Sequence, residues 1–363
     1  MQRMLNVGVI GCGNISAAYL KAAPKVGNFN IAACADIDAP RARAKAAEFN
    51  VPRACTVEEL LAADDIHIVL NLTVPGAHAD IARRALAAGK HTYCEKPLAV
   101  NTADGQGVLE LARRNNLCVG CAPDTFLGGG IQTARKLLDA GLIGQVVGAT
   151  ANMMCHGHES WHPDPAFYYQ SGGGPMFDMG PYYLTAMVNL LGPMRRVAGL
   201  ARVSFPERLI TSEPKSGTRI AVETPTHIAG LLEFASGAIG TITTSFDVWH
   251  ASVPRIEIYG SEGSMRVPDP NTFSGPVEVR LRGETQWKTM PLEFPENARG
   301  IGLVDMAAAI AENRPLRASG ELAFHVLAAM EAMLETPKSG AYAELPTANR
   351  PTALPAGLPE WQV

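Results

Sequence analysis

Four groups of residues in this chain have the types and spacing to do chemistry. Gly11-Cys12-Gly13-Asn14-Ile15-Ser16 is a glycine turn of the kind that lets backbone approach a pyrophosphate. Gly11 serves the tight turn, Gly13 the close approach, and the small Ser16 the packing of the helix that opens there. Asp36 lies 23 residues beyond Gly13. A carboxylate at that distance can accept hydrogen bonds from ribose hydroxyls and would repel a 2′-phosphate. No arginine follows Asp36 directly, and Arg41 and Arg43 are expected to be solvated on the next helix, so the pattern favours NAD over NADP. The plain alternative for Asp36 is a turn residue or a helix cap. Glu95-Lys96-Pro97 forms the third group. Pro97 keeps Lys96 out of helical geometry, and a lysine held this way can hydrogen-bond a substrate hydroxyl and relay its proton. By itself the tripeptide is better read as a surface lysine in a turn. Asp178 and Tyr182 form the fourth, behind the glycine loop Gly172 to Gly174. At i and i+4 on one helix they present a carboxylate and a phenol on one face, although capping and packing would use the same residues.

Elements must hold these groups in place. Short apolar runs at Leu5–Ile10, Ile31–Ala35, Ile66–Leu72, His91–Cys94 and Leu117–Cys121 alternate with Ala-, Leu- and Glu-rich helical segments. Strands alternating with helices of this length imply right-handed crossovers and a parallel sheet. Thr56 with Glu59 has the spacing of a capping box. Beyond residue 123 the pattern changes to strands at Val146–Met154, Thr226–Phe234, Ala238–Phe246, Arg255–Gly260 and Val277–Leu281. A helix is predicted from about Asp178 to Gly192, which puts Pro181 in its first turn, where proline is tolerated. Two more are predicted near Leu303–Glu312 and Glu321–Glu335, with Ser319 as N-cap of the second.

Composition limits the classes of function. The chain has 363 residues, 31 Lys+Arg against 35 Asp+Glu, a net charge of −4 and 47% hydrophobic residues. Such a chain suits two globular domains. Its charge balance argues against an electrostatic partner such as nucleic acid or a membrane surface. No run approaches the ~18 apolar residues of a membrane span. Met1-Gln2-Arg3 leads straight into an apolar strand and glycines, unlike a signal peptide. Seven cysteines form no regular framework, which fits reduced thiols and a cytoplasmic location. Cys118 and Cys121 have redox spacing, but they lie in a strand that turns them to opposite faces, so both are read as core thiols.

These motifs, in this order, resemble the Gfo/Idh/MocA family of sugar and inositol oxidoreductases. The resemblance rests on Gly11 to Ser16, Asn71-Leu72-Thr73-Val74-Pro75, Glu95-Lys96-Pro97, Leu138 to Gly144, Gly172 to Tyr183, Leu303 to Met306 and Asn313 to Glu321, and so covers nearly the whole chain. It implies an α/β Rossmann domain that binds NAD(P) over residues 1–123. It further implies an α+β substrate-binding and oligomerisation domain over 124–340 with a large, mostly antiparallel open sheet. A proline-rich tail occupies 341–363. The family pattern implies a homodimer or homotetramer whose interface is the sheet face. Its activity is NAD-dependent interconversion of alcohol and ketone on a small polyhydroxylated sugar or cyclitol. The implied cofactor contacts are Gly11, Gly13, Asn14, Ile15, Asp36, Asn71, Thr73, Pro75, His78, Glu95 and Lys96, with His78 open also to a packing role at its helix start. Lys96, Asp178 and Tyr182 are the implied catalytic residues.

The chain departs from the commonest family pattern in two places. Many members have His where this chain has Tyr182. A free phenol ionises near ~10, so as a base it needs a neighbouring cation, and Lys96 is expected to fill that role. Asp124 stands where an arginine often precedes Phe126. Cys155-His156-Gly157-His158-Glu159-Ser160-Trp161-His162 contains feasible metal ligands. The family chemistry needs no metal, so Trp161 and His162 are assigned to a wall that stacks on the sugar and hydrogen-bonds it, joining Asp178 and Tyr182 as substrate contacts. Two rival functions fit the same residues: NAD-dependent glycoside cleavage through a transient ketone, and a non-catalytic NAD-binding regulator.

Overall fold

The computed structural model describes residues 4–363; the reading of Met1-Gln2-Arg3 lies outside them. Two compact units emerge. The first comprises residues 4–128, 294–327 and 351–363, and the second 129–293 and 328–350.

The first unit is built on a six-stranded parallel sheet. Its strands are β1 (Leu5–Ile10), β2 (Phe29–Ala35), β3 (Ala54–Cys55), β4 (Ile68–Asn71), β5 (His91–Cys94) and β6 (Val119–Cys121), in the spatial order β3-β2-β1-β4-β5-β6. Helices α1 (Ser16–Ala22), α2 (Ala39–Phe49), α3 (Val57–Ala62), α4 (His78–Ala87) and α5 (Thr102–Arg114) form the crossovers. The central strands β1 and β4 are buried almost without interruption, as parallel strands covered on both faces must be. Strand order reverses between β1 and β4, so the loops after these two strands diverge at the switch point where open α/β sheets take ligands. Thr56 and Glu59 form the expected capping box at α3.

The second unit carries α6 (Gly129–Asp139) and β7 (Val146–Met154), then α7 (Gly174–Leu191). Strands β8 (Met194–Arg202), β9 (Glu207–Leu209), β10 (Arg219–Ala221), β11 (His227–Phe234), β12 (Ile239–Ser245), β13 (Ile256–Gly260), β14 (Gly263–Val267), β15 (Val277–Leu281) and β16 (Lys288–Met290) follow. Helix α8 (Ile301–Glu312) belongs to the first unit; α9 (Gly320–Ser339) and β17 (Ala343–Glu344) follow it in the chain. Nine strands form one sheet, β16-β15-β14-β13-β7-β12-β11-β8-β17, in which only β7 and β12 run parallel. Helix α7 packs on one face, against β7, β11 and β12. On the opposite face the register aligns Ala198 with Leu231 and Thr241, and Leu200 with Ala229 and Thr243. That face is solvent-exposed and largely apolar, with Leu200 at 73% and Ile239 at 63% exposure, and Leu200 and Leu231 line a hollow of about 560 Å³.

Three sequence expectations are corrected here. Helix α7 starts at Gly174, not near Asp178, because Pro175 supplies a preformed first turn. Pro181 therefore sits inside the helix, where it removes one backbone donor. The contiguous division at 123 and 340 also differs from the packing. Residues 294–327 belong to the first unit because Asp124 accepts hydrogen bonds from Gly300 and Gly302 at the start of α8, at 2.8 and 3.1 Å. The proline-rich segment after residue 340 is tied into the fold. Ala343 and Glu344 pair with β8, and Arg317, itself held by buried Asp305, donates to the carbonyls of Thr352 and Ala353. Ser319 does cap α9, accepting from the Leu322 N–H at 3.1 Å.

Candidate active site

In the first unit the glycine turn and Asp36 form one hydrogen-bonded piece. Gly11 has φ +100°, and a Cβ there would lie 2.5 Å from the Leu72 carbonyl oxygen. Gly11→Ala is thus expected to cost about 2 kcal/mol through strain and contact. A drop in the thermal midpoint with loss of dinucleotide binding would register it; an unchanged midpoint would contradict it. The Gly11 N–H donates to Ala35 O at 2.9 Å. The next N–H, of Cys12, donates to Asp36 Oδ2 at 2.8 Å, and that of Asp38 donates to Oδ1 at 2.9 Å. Arg41 is exposed, as expected, and its Nη1 lies 3.5 Å from Asp36 Oδ1. Ser16 is buried and its hydroxyl donates to Gly13 O at 2.6 Å. Asn14 is exposed and Ile15 half-buried, and no side chain caps the start of α1. A Cβ on Gly13 would meet nothing within 4 Å. Its own neighbours therefore do not require a glycine, and the open space over a helix start with Asp36 alongside fits a bound dinucleotide.

The loop after β4 is held from within. Asn71 is fully buried: its amide donates to His78 O at 2.9 Å, and its Oδ1 accepts from the Thr73 hydroxyl at 2.7 Å. Pro75 begins a short turn that leads into α4. His78 is buried, with Nδ1 2.6 Å from Pro97 O and Nε2 3.0 Å from Thr73 O. Burial pushes its pKa down. Of its two expected roles, His78 takes the packing one, tying the Thr73 loop to the Lys96-Pro97 turn. Glu95 also faces inward, accepting from Tyr19 Oη at 2.9 Å, Arg299 Nη1 at 3.4 Å and the Lys96 N–H at 3.0 Å. Asn71, His78 and Glu95 thus brace the loops, and half-buried Lys96 projects from the turn they fix. Asp124, fully buried, caps α8; burial pushes its carboxyl up against the pull of Arg299.

In the second unit Asp178 is the only charged residue of α7 and, with Met179, its most accessible part. Tyr182 lies one turn later and is buried. The partner of Asp178 comes from the loop after β7: His158 Nε2 is 3.6 Å from Asp178 Oδ2. The His158 ring stacks on Tyr168 at 3.7 Å and 8°, with Phe246 edge-on at 4.6 Å and Trp161 at 5.3 Å. Trp161 is 62% exposed, and His162 sits between it and Phe167.

Buried charge holds this loop. Glu159 accepts from Arg208 Nη1 at 2.9 Å, from the His158 N–H at 2.9 Å and from the Tyr169 hydroxyl. Arg208, on β9, also pairs with Asp247 and donates to Phe246 O at 3.0 Å. Burial and the Glu159 charge together push the Tyr169 phenol up, so it stays a donor. Gly157, at φ +68°, turns beneath Tyr169 and Glu159, where a Cβ would collide with both.

Sequence reading singled out Asp178, Tyr182, Trp161 and His162 but missed the pairing of His158 with Asp178, and it missed Arg208 altogether. The three histidines of the 156–162 run do not converge. His156 stacks on Trp249 at 3.4 Å, His158 faces Asp178, and His162 Nδ1 accepts from the Asp164 N–H at 3.0 Å. Among the described residues no group of three or more His, Cys, Asp or Glu is arranged to hold a metal. All seven cysteines are free thiols; Cys121 is buried and Cys118 half-buried.

Comparison with known proteins gives a consistent picture. The sequence model described as an oxidoreductase family with an NAD-binding Rossmann fold matches residues 5–122, and that of the GFO/IDH/MocA C-terminal domain matches 131–266. D-xylose 1-dehydrogenase (NADP(+)) 2 of Haloferax volcanii is 25% identical over 343 residues, 93% of this chain and 99% of that protein. The chain spans 52% of the length of an uncharacterized oxidoreductase of Schizosaccharomyces pombe, at 29% identity over 52% of this chain, and 60% of the length of YfiI of Bacillus subtilis, at 27% identity over 64% of this chain. A solved levoglucosan dehydrogenase in complex with NADH shares the fold, with a TM-score of 0.80 at 22% identity over 95% of this chain and 100% of that one.

Proposed function

The chain belongs to the GFO/IDH/MocA oxidoreductase family, and from that premise we propose that it is an NAD-dependent oxidoreductase interconverting alcohol and ketone on a sugar, sugar derivative or cyclitol. The observation that carries this reading is the partly exposed Asp178–His158 pair, one helical turn from Tyr182 and rimmed by Trp161. Carboxylate, imidazole, phenol and an exposed indole suit a ring bearing several hydroxyls, since each hydroxyl needs a partner and the ring's C–H face packs on an aromatic. The names of relatives such as the xylose dehydrogenase agree with that substrate class.

When bound, NAD supplies the hydride acceptor. The chain's own groups do the rest. The turn at Gly11 and Gly13 and the start of α1 offer backbone N–H groups to the phosphates, with Asn14 and Ile15 in the same turn. Asp36 accepts from the ribose, and its anchoring to the Cys12 N–H keeps it aimed. Thr73, Pro75 and Lys96, on the loops after β4 and β5, would help to hold the cofactor. As the alcohol carbon loses hydride, its hydroxyl must lose a proton; Tyr182 takes it, assisted by Lys96. Asp178 holds a neighbouring hydroxyl, and Trp161 and His162 hold the ring.

Following NADH absorbance against sugars, glycosides and inositols tests this reading. Formation of NADH with at least one of them is expected, and none with any would sink it. Asp36→Ala is expected to lower the preference for NAD over NADP about tenfold, ~1.4 kcal/mol. An unchanged ratio of kcat/KM for the two dinucleotides would remove Asp36 from the ribose site. The apolar sheet face around Leu200, Leu231 and Ile239 supports a homodimer or homotetramer, because an exposed patch of this kind marks an association surface. Seven free thiols suit a reducing compartment, the cytoplasm.

A further inference from the structure

Tyr182 occupies the position where relatives of the family pattern carry histidine, yet α7 does not lack an imidazole beside Asp178. It receives one from a different element. His158, on the loop that follows β7, approaches Asp178 Oδ2 to 3.6 Å. Everything around His158 fixes its ring rather than leaving it mobile. Tyr168 stacks flat against it, Phe246 meets it edge-on, and its backbone N–H donates to Glu159 Oε2. The charges near it are few and mostly committed elsewhere. Glu159 and Asp247 are both held by Arg208, and Tyr169 is a neutral donor to Glu159. Asp178 is therefore the carboxylate that the His158 ring addresses.

We infer that His158 is a positioning residue that works through Asp178: it holds Oδ2 so that the carboxylate meets a substrate hydroxyl through Oδ1. This rests on the oxidoreductase reading for its substrate class, but its own prediction concerns binding. A contact between imidazole and carboxylate at this separation, walled by three aromatic rings, narrows the orientations open to the carboxylate before substrate arrives, and a preorganised acceptor binds more tightly than one that must be ordered. It also makes the strength of that hold depend on whether the imidazole carries its proton.

The test uses calorimetry on protein saturated with NADH, titrated with D-xylose, D-glucose and myo-inositol across a range of pH. For the tightest binder, His158→Phe keeps the ring stacked on Tyr168 but removes the pair, and is expected to raise Kd about tenfold. Asp178→Asn is expected to do the same. The double variant should bind no more weakly than Asp178→Asn alone, because both changes cut one interaction. The Kd of wild type should vary with pH in a way that the Kd of His158→Phe does not. If His158→Phe fails to fold, His158→Gln replaces it in the same cycle. Additive effects of the two changes, an unaltered Kd in the His158 variant, or no binding of any of the three ligands would overturn the inference. If the ligands bind with this coupling but no NADH ever forms in the turnover assay, the oxidoreductase reading fails and the positioning role stands.

Discussion

Tyr182→Phe is expected to lower kcat by about 10²- to 10⁴-fold, the range lost with a positioned acid–base group, while affinity for NADH stays unchanged. The substitution isolates one atom. Tyr182 is buried in α7, a helix enclosed on nearly every side, so a phenylalanine ring fills the same space and only the hydroxyl is lost. Asp178, one turn earlier on the same helix, keeps its place and its contact with His158. A fall in kcat with little change in KM would mark a group needed mainly in the transition state. A rise in KM alone would make Tyr182 a substrate contact. Undiminished turnover would show that the proton leaves by another route, and the assignment of Tyr182 would have to be withdrawn.

The second large effect is expected at a residue that touches no substrate. Arg208→Ala leaves Glu159 and Asp247 as buried carboxylates without their cation. Breaking a buried pair from one side costs about 3–5 kcal/mol, because the remaining charge stays desolvated. For a unit of this size that corresponds to a thermal midpoint lower by about 10 °C. The damage should also be directional. Glu159 anchors the His158 N–H, and its carbonyl accepts from Thr211 and Ser212, so the loop bearing His158 and Trp161 loses its support. Arg208→Lys should recover part of the midpoint, since one ammonium can serve one carboxylate but lacks the fork that reaches both. An alanine variant as stable as the parent would mean that water or rearrangement compensates both charges.

What could be read from the sequence follows a physical divide. The parallel sheet was legible because β1, β4 and β5 are short apolar runs cut off by glycine and polar residues, and because local signals such as the Thr56–Glu59 box mark helix starts. The glycine turn and Asp36 were legible because the dinucleotide-binding pattern is confined to one βαβ unit. The start of α7 was misplaced although its signal, Pro175, was present; the glycines before it read as loop. Short strands such as β9 and β10 carry three residues each and no periodicity to detect. Arg208 stands on one of these and meets Glu159 across 49 residues of chain, and no spacing rule links them. His158 was visible as a residue but not as a partner, because its meeting with Asp178 depends on how the loop after β7 folds back over α7.

The return of residues 351–363 to the first unit bears on how the molecule is made. Synthesis runs from the N-terminus, and a domain drawn from one continuous stretch can close as soon as it leaves the ribosome. Here Leu354 is buried, Arg317 grips the carbonyls of Thr352 and Ala353, and the Trp361 N–H donates to Asn297 Oδ1 at 3.0 Å. The glycine turn is translated well before residues 351–363, yet those residues supply contacts to the same unit. Ribosome-bound chains halted before residue 351 should therefore hold this unit in an incomplete state, more open to protease than the released protein.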